Sequence, residues 1–539
     1  MTTTNAIERA DVVIVGSGIA GAHLAYALAL KGTKALVLEA GPRRSRAESV
    51  DRFYRSVGKG AQSPYPSVPY APHPGESPAD HYVQTGPDRF IGAYLRIYGG
   101  STWHWTGLAD RLRVTDFRMR TLYGVGEDWP IAYEDLVPYY EQAEQLWGVS
   151  GDAAYTWGAP RKGPYPLPPV PATYLDQVVE RGLAKVGLKS ALFSHARNSV
   201  FFDDRPACCG NNTCVPICPI AAKFDASILM SKAEALGARV LTESLVTFVE
   251  LGTDRRVTAL RVRRPDGSTF RVEGSVFALA CHGIENPRLL LNSRQDLAPA
   301  GVANSSGAVG RYLLTQANQD IWGRSPVPSF PYRGPQQTSG IVEFRDGPFR
   351  RNVAAVGTSF LNTGRGANAG APLLAKQLVD QGLRGVALSR RIDDELSHQL
   401  IANASAEILP DRNNRIELDA SLDSAGIPRP RITYRVDDYT KRGLAKALAA
   451  NRKIFAALGA TDVGWDTPYL STAIIAGTTR MGRDPKTSVV DPNLVAHDHP
   501  NLYVLGASAH VTAPINPPTL TIAATAIRAA DHILANRRA

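Results

Sequence analysis

DVVIVGSGIAGAHLAYALALKGTKALVLEAG, running from Asp11 to Gly41, is the stretch that decides the fold. Residues 11–16 form a short apolar run of the kind buried in a parallel sheet. Gly16, Gly18 and Gly21 follow at the G-x-G-x-x-G spacing, and the next residues read as a helix closed by Lys31 and Gly32. A second apolar run then ends in Glu39, about 20 residues after the glycines. This is a complete βαβ unit for a dinucleotide. The glycines let backbone amides and a helix N-terminus approach a pyrophosphate, and Glu39 suits an adenosine ribose hydroxyl.

Outward from this unit, residues 42–95 are rich in Pro, Ser, Tyr and Arg and read as irregular loops. YGGSTWHWTG (Tyr98 to Gly107) places two glycines where backbone must pass close to something, followed by a histidine between tryptophans. WPIAYEDLVPYYEQAEQLWG (Trp129 to Gly148) starts as a loop and becomes a helix, with Pro138 suited to its first turn. ASILMSKAEALGARVLTES (Ala226 to Ser244) predicts a helix and a strand, and SVFALACHGIENPRLLLNS (Ser275 to Ser293) a buried strand, a turn and a helix start. Residues 320–465 alternate and turn often, which suits an antiparallel sheet. The C-terminal part returns to strand, turn and helix, in which Pro517 or Pro518 suits the first turn of the last helix.

The expected fold is therefore α/β: a Rossmann-like domain interrupted by a second domain built on a mostly antiparallel sheet. Residues 1–50, 91–110, 220–320 and 466–539 are assigned to the nucleotide domain. Residues 51–90, 111–219 and 321–465 form the substrate domain, which carries the cysteine loop 208–219.

Composition narrows the function classes. The chain has 539 residues and a formal net charge of +10, but its basic residues are scattered without a stripe, so nucleic acid is not the expected partner. No stretch approaches the roughly 18 apolar residues of a membrane span. The N-terminus enters a strand without room for a signal peptide, which reads as cytoplasmic, or periplasmic if a signal-bearing partner is co-exported.

Four of the five cysteines lie in CCGNNTCVPICP, Cys208 to Pro219, while Cys281 sits alone in an apolar run as a small hydrophobe. This is not the usage of a disulfide-stapled secreted protein. Zinc would need a fourth ligand nearby, and three thiolates on a compact loop fit an iron–sulfur cluster better. Cys208 and Cys209 are both open as the first ligand, because adjacent side chains do not easily reach one small cluster together.

Several of these motifs resemble the glucose–methanol–choline (GMC) oxidoreductases, a family of FAD enzymes, over nearly the whole chain. GSGIAG with LEAGP resembles the N-terminal FAD signature. YGGSTWHW, with Gly100 and Ser101, resembles the second flavin loop, and WPIAYEDLVPYY its helix entry. GTTRMG (Gly477 to Gly482), VVDPN, NLYVLGASA with Ala507, and INPPTLT with Asn516 and Thr519 resemble the C-terminal block. WHW, the cysteine loop and AEILPDRNNRIELD (Ala406 to Asp419) are similar to catalytic subunits of bacterial sugar, polyol and gluconate dehydrogenases.

That resemblance implies FAD, one iron–sulfur cluster, a small chaperone-like subunit and a cytochrome c acceptor. By the same likeness Cys208, Cys214 and Cys218 hold a three-iron cluster, and Cys209 is spare for a disulfide to the partner. His104 is placed for a covalent bond to FAD, as in some relatives, or simply packs among aromatics. The implied reaction is hydride transfer from the hydroxyl-bearing carbon of a sugar, polyol or other polar alcohol to flavin N5. A cluster favours a dehydrogenase over an oxidase, because a flavin that reacts with oxygen needs no wire. A cytoplasmic FAD oxidase or dehydrogenase of a specialised metabolite, and an FAD-binding assembly subunit without catalysis, are the alternatives.

Two positions depart from the family. The base histidine three residues before Gly477 is replaced by Ile474, which accepts no proton. LLTQANQ replaces the usual Asp-His-Pro and leaves Thr315 and Gln316. Asn516 is expected beside the flavin as a hydrogen-bond partner, and His510, six residues upstream, is the candidate replacement base.

Overall fold

The computed structural model describes residues 3–75, 77–363, 370–467 and 469–538. Its first sheet is the expected parallel one. Arg239–Leu241, Ala35–Leu38, Thr3–Val15 and Thr269–Leu279 pair in that order, all parallel, and Leu502–Val504 adds to the far side of Thr269–Leu279. Val12, Val13 and Ile14 are fully buried, as strands covered on both faces must be. The other end of Thr269–Leu279 carries an antiparallel ribbon, Val257–Arg263 and Leu245–Leu251. The first strand begins earlier than the apolar run suggests. Its start at Thr3–Ala10 pairs with Thr269–Gly274, and residues 7–10 are exposed or half-buried.

Helix Ile19–Ala29 packs between helices Ala226–Ala235 and Thr519–Arg538, and helix Val137–Trp147 lies against the last of these. Buried His23 ties this layer together: its Nδ1 meets the Ile19 carbonyl at 2.7 Å and its Nε2 accepts from Trp147 at 2.8 Å. Pro138 occupies the first turn of its helix as expected.

The second large sheet is antiparallel, in the order Thr461–Trp465, Ala317–Arg324, Gln399–Ala406, Val356–Leu361, Gln337–Ile341, Ser190–Leu192. Period-two alternation sets its faces. Leu400, Ala402, Ala404 and Ala406 enter apolar cores, while Asn403 and Ser405 face a cavity between the two sheets. Helices Tyr174–Lys185 and Asp438–Ala457 pack against the apolar side. Arg415–Leu422 and Pro428–Thr433 form a separate antiparallel pair.

Three details differ from the sequence reading. Residues 46–55 are helical, started by a capping box between Ser45 and Glu48; only Ser49 and Phe53 are buried, so the apolar stripe is thin. Residues 438–457 are one long helix, capped by Asp437, within a region read as sheet. The last helix begins at Thr519, with the Pro518 carbonyl accepting the first bond, so both prolines precede it. Among the described residues no helix is long and apolar enough to cross a membrane.

Candidate active site

The cavity between the sheets has a volume of about 590 Å³. The glycine turn lies at one end. Gly16 has φ +100°, and a Cβ there would stand 2.6 Å from the Ala280 carbonyl oxygen. Gly21 packs directly on Gly16, so it serves the turn from behind. Gly18 faces Gly100 across the cavity wall, where a Cβ on Gly18 would meet only the Gly100 Cα at 3.9 Å. Glu39 is buried and accepts from the Ser17 amide (3.0 Å), the Ser17 hydroxyl (2.6 Å) and the Gly41 amide (2.9 Å). Burial pushes its carboxyl upward, and these three donors oppose the shift. On the same wall Arg96 pairs with Glu285 at 2.6 Å and leaves a buried Nη1 without a partner among the described residues. A backbone cradle, an acceptor carboxylate and a spare guanidinium edge form a donor set that fits a dinucleotide.

Ser101, His104, Ala507 and Thr519 also line the cavity. His104 is held neutral, with its pKa lowered to about 3 by burial, and by Lys223, His73 and His282. Cys281, expected in the core, is on the wall beside the glycine turn. A second histidine there, His282, was not singled out in sequence; it stacks on Tyr94 at 4.3 Å.

The opposite end carries Ile474, Gln316 and the polar face of the antiparallel sheet. The position of the missing base thus lies on the wall, and isoleucine fills it. His510 does not replace it. After Ala507 the chain turns away through Ala507–Ala509, and His510 packs on Trp129 at a ring distance of 5.0 Å, 1 % exposed. Burial lowers its pKa to about 3. Asn516 stands behind the wall that its neighbours Ile515 and Pro517 form. Its amide nitrogen donates to the Arg111 carbonyl at 2.7 Å and its amide oxygen accepts from Arg345. Both polar atoms of the Asn516 side chain thus have protein partners.

Arg345, which no motif pointed to, does line the cavity. It follows strand Gln337–Ile341 in a turn-rich region where nothing in the sequence marks one arginine above another.

The cysteine loop adjoins the cavity. Cys208, Cys209, Cys214 and Cys218 surround a void of about 10 Å³, and all are free thiols. Arg197 donates to the Cys214 Sγ at 3.0 Å and the Lys223 amide to the Cys218 Sγ at 3.5 Å. Burial pushes the Cys214 thiol up, but Arg197 and Lys223 outweigh it and hold it below the usual range. Val215, next in the chain, lines the flavin-side cavity. Lys223 Nζ donates to the carbonyls of Trp103 (3.0 Å), Trp105 (2.6 Å) and Cys214 (2.7 Å), joining the loop that carries His104 to the loop that carries the thiols. Among the described residues no three His, Cys, Asp or Glu side chains form a set for a single metal ion.

Comparison with known proteins agrees with this arrangement. A family model described as GMC oxidoreductase matches residues 410–526, and one described as FAD dependent oxidoreductase matches residues 11–169. The chain is 38% identical to the fructose dehydrogenase large subunit of Gluconobacter japonicus, over 98% of this chain and 99% of that one. It is 28% identical to 2-methyl-1,2-propanediol dehydrogenase of Mycolicibacterium austroafricanum, over 98% and 96%. Among solved structures, pyridoxine 4-oxidase from Mesorbium loti superposes with a TM-score of 0.65 at 19% identity, over 98% and 99%.

Proposed function

The chain belongs to the GMC oxidoreductase family, FAD enzymes acting on CH–OH groups, and from that premise we propose that it is the catalytic subunit of a sugar, polyol or polar-alcohol dehydrogenase. Electrons would leave through an iron–sulfur cluster on Cys208, Cys214 and Cys218 to a cytochrome c, with a small chaperone-like subunit as partner. Bound FAD supplies the hydride acceptor. The protein's part is to hold the dinucleotide on Gly16, Gly18 and Glu39, to close the cavity with the loop Gly100–His104, and to present a hydroxylated substrate with the polar face of the second sheet.

One observation carries the electron-transfer reading: the thiol loop and the flavin-side loop share the Lys223 ammonium and meet at the Val215 wall. Three thiols on one compact loop around a common void suit an iron–sulfur cluster. Arg197 and Lys223 place positive charge against that thiolate group. His104 stands on the cavity wall as a neutral imidazole, the state in which a ring nitrogen can bond covalently to the flavin.

Protein purified without oxygen, with its small subunit co-expressed, tests the reading. Two or more irons per chain and bleaching of the flavin band by a sugar or polyol, without oxygen uptake, are expected. Iron-free protein that consumes oxygen on turnover marks an oxidase instead. Yellow colour that stays with acid-precipitated protein supports the His104 bond, and colour released to the supernatant removes it.

A further inference from the structure

Arg345 is 2 % exposed and lines the cavity, yet among the described residues no carboxylate forms an ion pair with it. Arg350, five residues on and equally buried, has three: Asp116, Asp346 and Glu407. A buried cation without a close ion pair is costly, and Arg345 has only the longer-range attraction of Asp110 and Asp116 where Arg350 has three carboxylates in contact, which leaves room for a further anion.

The geometry of the side chain supports this. Its guanidinium lies over Trp157 at 4.0 Å and near Phe193 at 5.6 Å, which fixes its plane. One nitrogen donates to the Asn516 oxygen, and Nε has no partner among the described residues. Nη1 points to Gly357 on the cavity wall, where even an added Cβ would stand 3.8 Å away, so the missing side chain leaves that edge open. Charges of both signs surround it: Arg113 repels the guanidinium, while Asp110 and Asp116 attract it. Arg113 lies close enough to help lower the Arg345 pKa to about 9, after burial itself. Asp110 accepts twice from Ser194 on one oxygen and keeps the other buried without a hydrogen-bond partner among the described residues; it is the carboxylate that Arg345 most stabilises, though the two form no ion pair.

We propose that Arg345 anchors a carboxylate of the substrate, so that the alcohol oxidised here is a hydroxy acid or sugar acid rather than a neutral sugar. This rests on the reading of the cavity as an alcohol-oxidation site. Asn403, Ser405, Ser359 and Gln337, on the adjoining sheet face, then meet the hydroxyls. A planar fork of N–H donors matches a carboxylate in two bonds, which a lysine would not do.

Matched pairs test it in the holoenzyme: gluconate against sorbitol, glycerate against glycerol, lactate against propane-1,2-diol. The acid of at least one pair should reduce the flavin with the higher kcat/KM. Arg345→Gln should raise the KM for that acid about 100-fold, with the neutral partner changed less than about threefold and Arg345→Lys in between. Acetate should perturb the oxidised flavin spectrum and inhibit competitively in the parent but not in Arg345→Gln. A parent that prefers the neutral member of every pair, or that ignores acetate, overturns the proposal while leaving the dehydrogenase reading intact. Equal losses for both members in Arg345→Gln make Arg345 only a positioning residue for Asn516, and also overturn it. If no alcohol bleaches the flavin, the dehydrogenase reading fails, and the acetate titration still decides the anion site. Should Arg345→Gln not fold, Arg345→Lys carries the same comparison.

Discussion

Lys223 donates to the Cys214 carbonyl at 2.7 Å while the same ammonium holds the carbonyls of Trp103 and Trp105. Two loops more than a hundred residues apart thus share one buried cation. Replacing it by methionine leaves three buried carbonyls without a donor, each worth about 1–3 kcal/mol. Lys223→Met should lower the thermal midpoint clearly and release flavin below the parent's transition. Flavin fluorescence during a thermal ramp reads both. A variant that melts with the parent would mean water replaces the ammonium and that the two loops are not coupled through it.

Gly18 and Gly21 separate folding from cofactor binding. A Cβ at Gly21 would stand 1.9 Å from the Gly16 carbonyl oxygen, so Gly21→Ala should fail to fold. At Gly18 the added methyl meets no protein atom closer than 3.9 Å, but it projects where the pyrophosphate approaches. Gly18→Ala should be soluble with native circular dichroism and depleted of FAD. Full FAD occupancy in Gly18→Ala would move the pyrophosphate elsewhere on the wall.

The thiols differ in setting, and the iron should follow. Cys214 is buried under Arg197, whereas Cys209 is exposed. Cys214→Ser is expected to lose iron and cytochrome reduction while keeping anaerobic flavin bleaching by substrate. Cys209→Ser should keep its iron. Iron retained in Cys214→Ser, or lost in Cys209→Ser, would reassign the ligands.

Acid should strike the dinucleotide end of the cavity. Burial pushes the Glu285 carboxyl up, but Arg96, Arg288 and His81 together hold it well below 4.5. Its folded pKa being depressed, the unfolded chain binds the extra proton. The stabilisation is complete above the unfolded value of 4.5 and is lost as pH falls from there towards the folded pKa. Thermal midpoints of the parent should therefore fall more steeply between about pH 5 and 3 than those of Glu285→Gln. Parallel slopes would place the acid-labile group elsewhere.

The nucleotide end was legible because its chemistry is local. Gly16, Gly18 and Glu39 sit in one βαβ unit whose spacing encodes the turn. The cysteine loop stood out for the same reason, four cysteines within eleven positions. The substrate end was not. It is assembled from Gln316, Arg345, Gly357, Asn403 and Ile474, which come from separate strands and turns and carry no common spacing. Arg345 differs from Arg350 only in what the fold brings near it, and the difference between a paired and an unpaired guanidinium exists only in three dimensions. His510 failed for the complementary reason, since closeness to Asn516 in sequence said nothing of the turn at Ala507–Ala509 that sends it behind the wall. Helix Arg46–Arg55 was there to be read in Ser45 and Glu48, but two buried residues make too thin a stripe to announce it.

Ile474 offers the sharpest test of how the substrate proton is lost. It lines the cavity where the family's base would stand, and its amide donates to the Thr472 hydroxyl at 3.0 Å. A positioned general base is worth roughly 10²–10⁴ in rate. If no side chain serves, Ile474→His should raise kcat at least tenfold and give it a new dependence on pH near the histidine range. His510→Ala, made alongside, should leave kcat unchanged and lower only the thermal midpoint, since its ring touches Trp129 and not the cavity. The pair separates two views of the site. Gain at position 474 with silence at 510 means that the hydroxyl proton leaves without a protein base. Loss at 510 would instead require the wall between Ala507 and Ile515 to open during turnover.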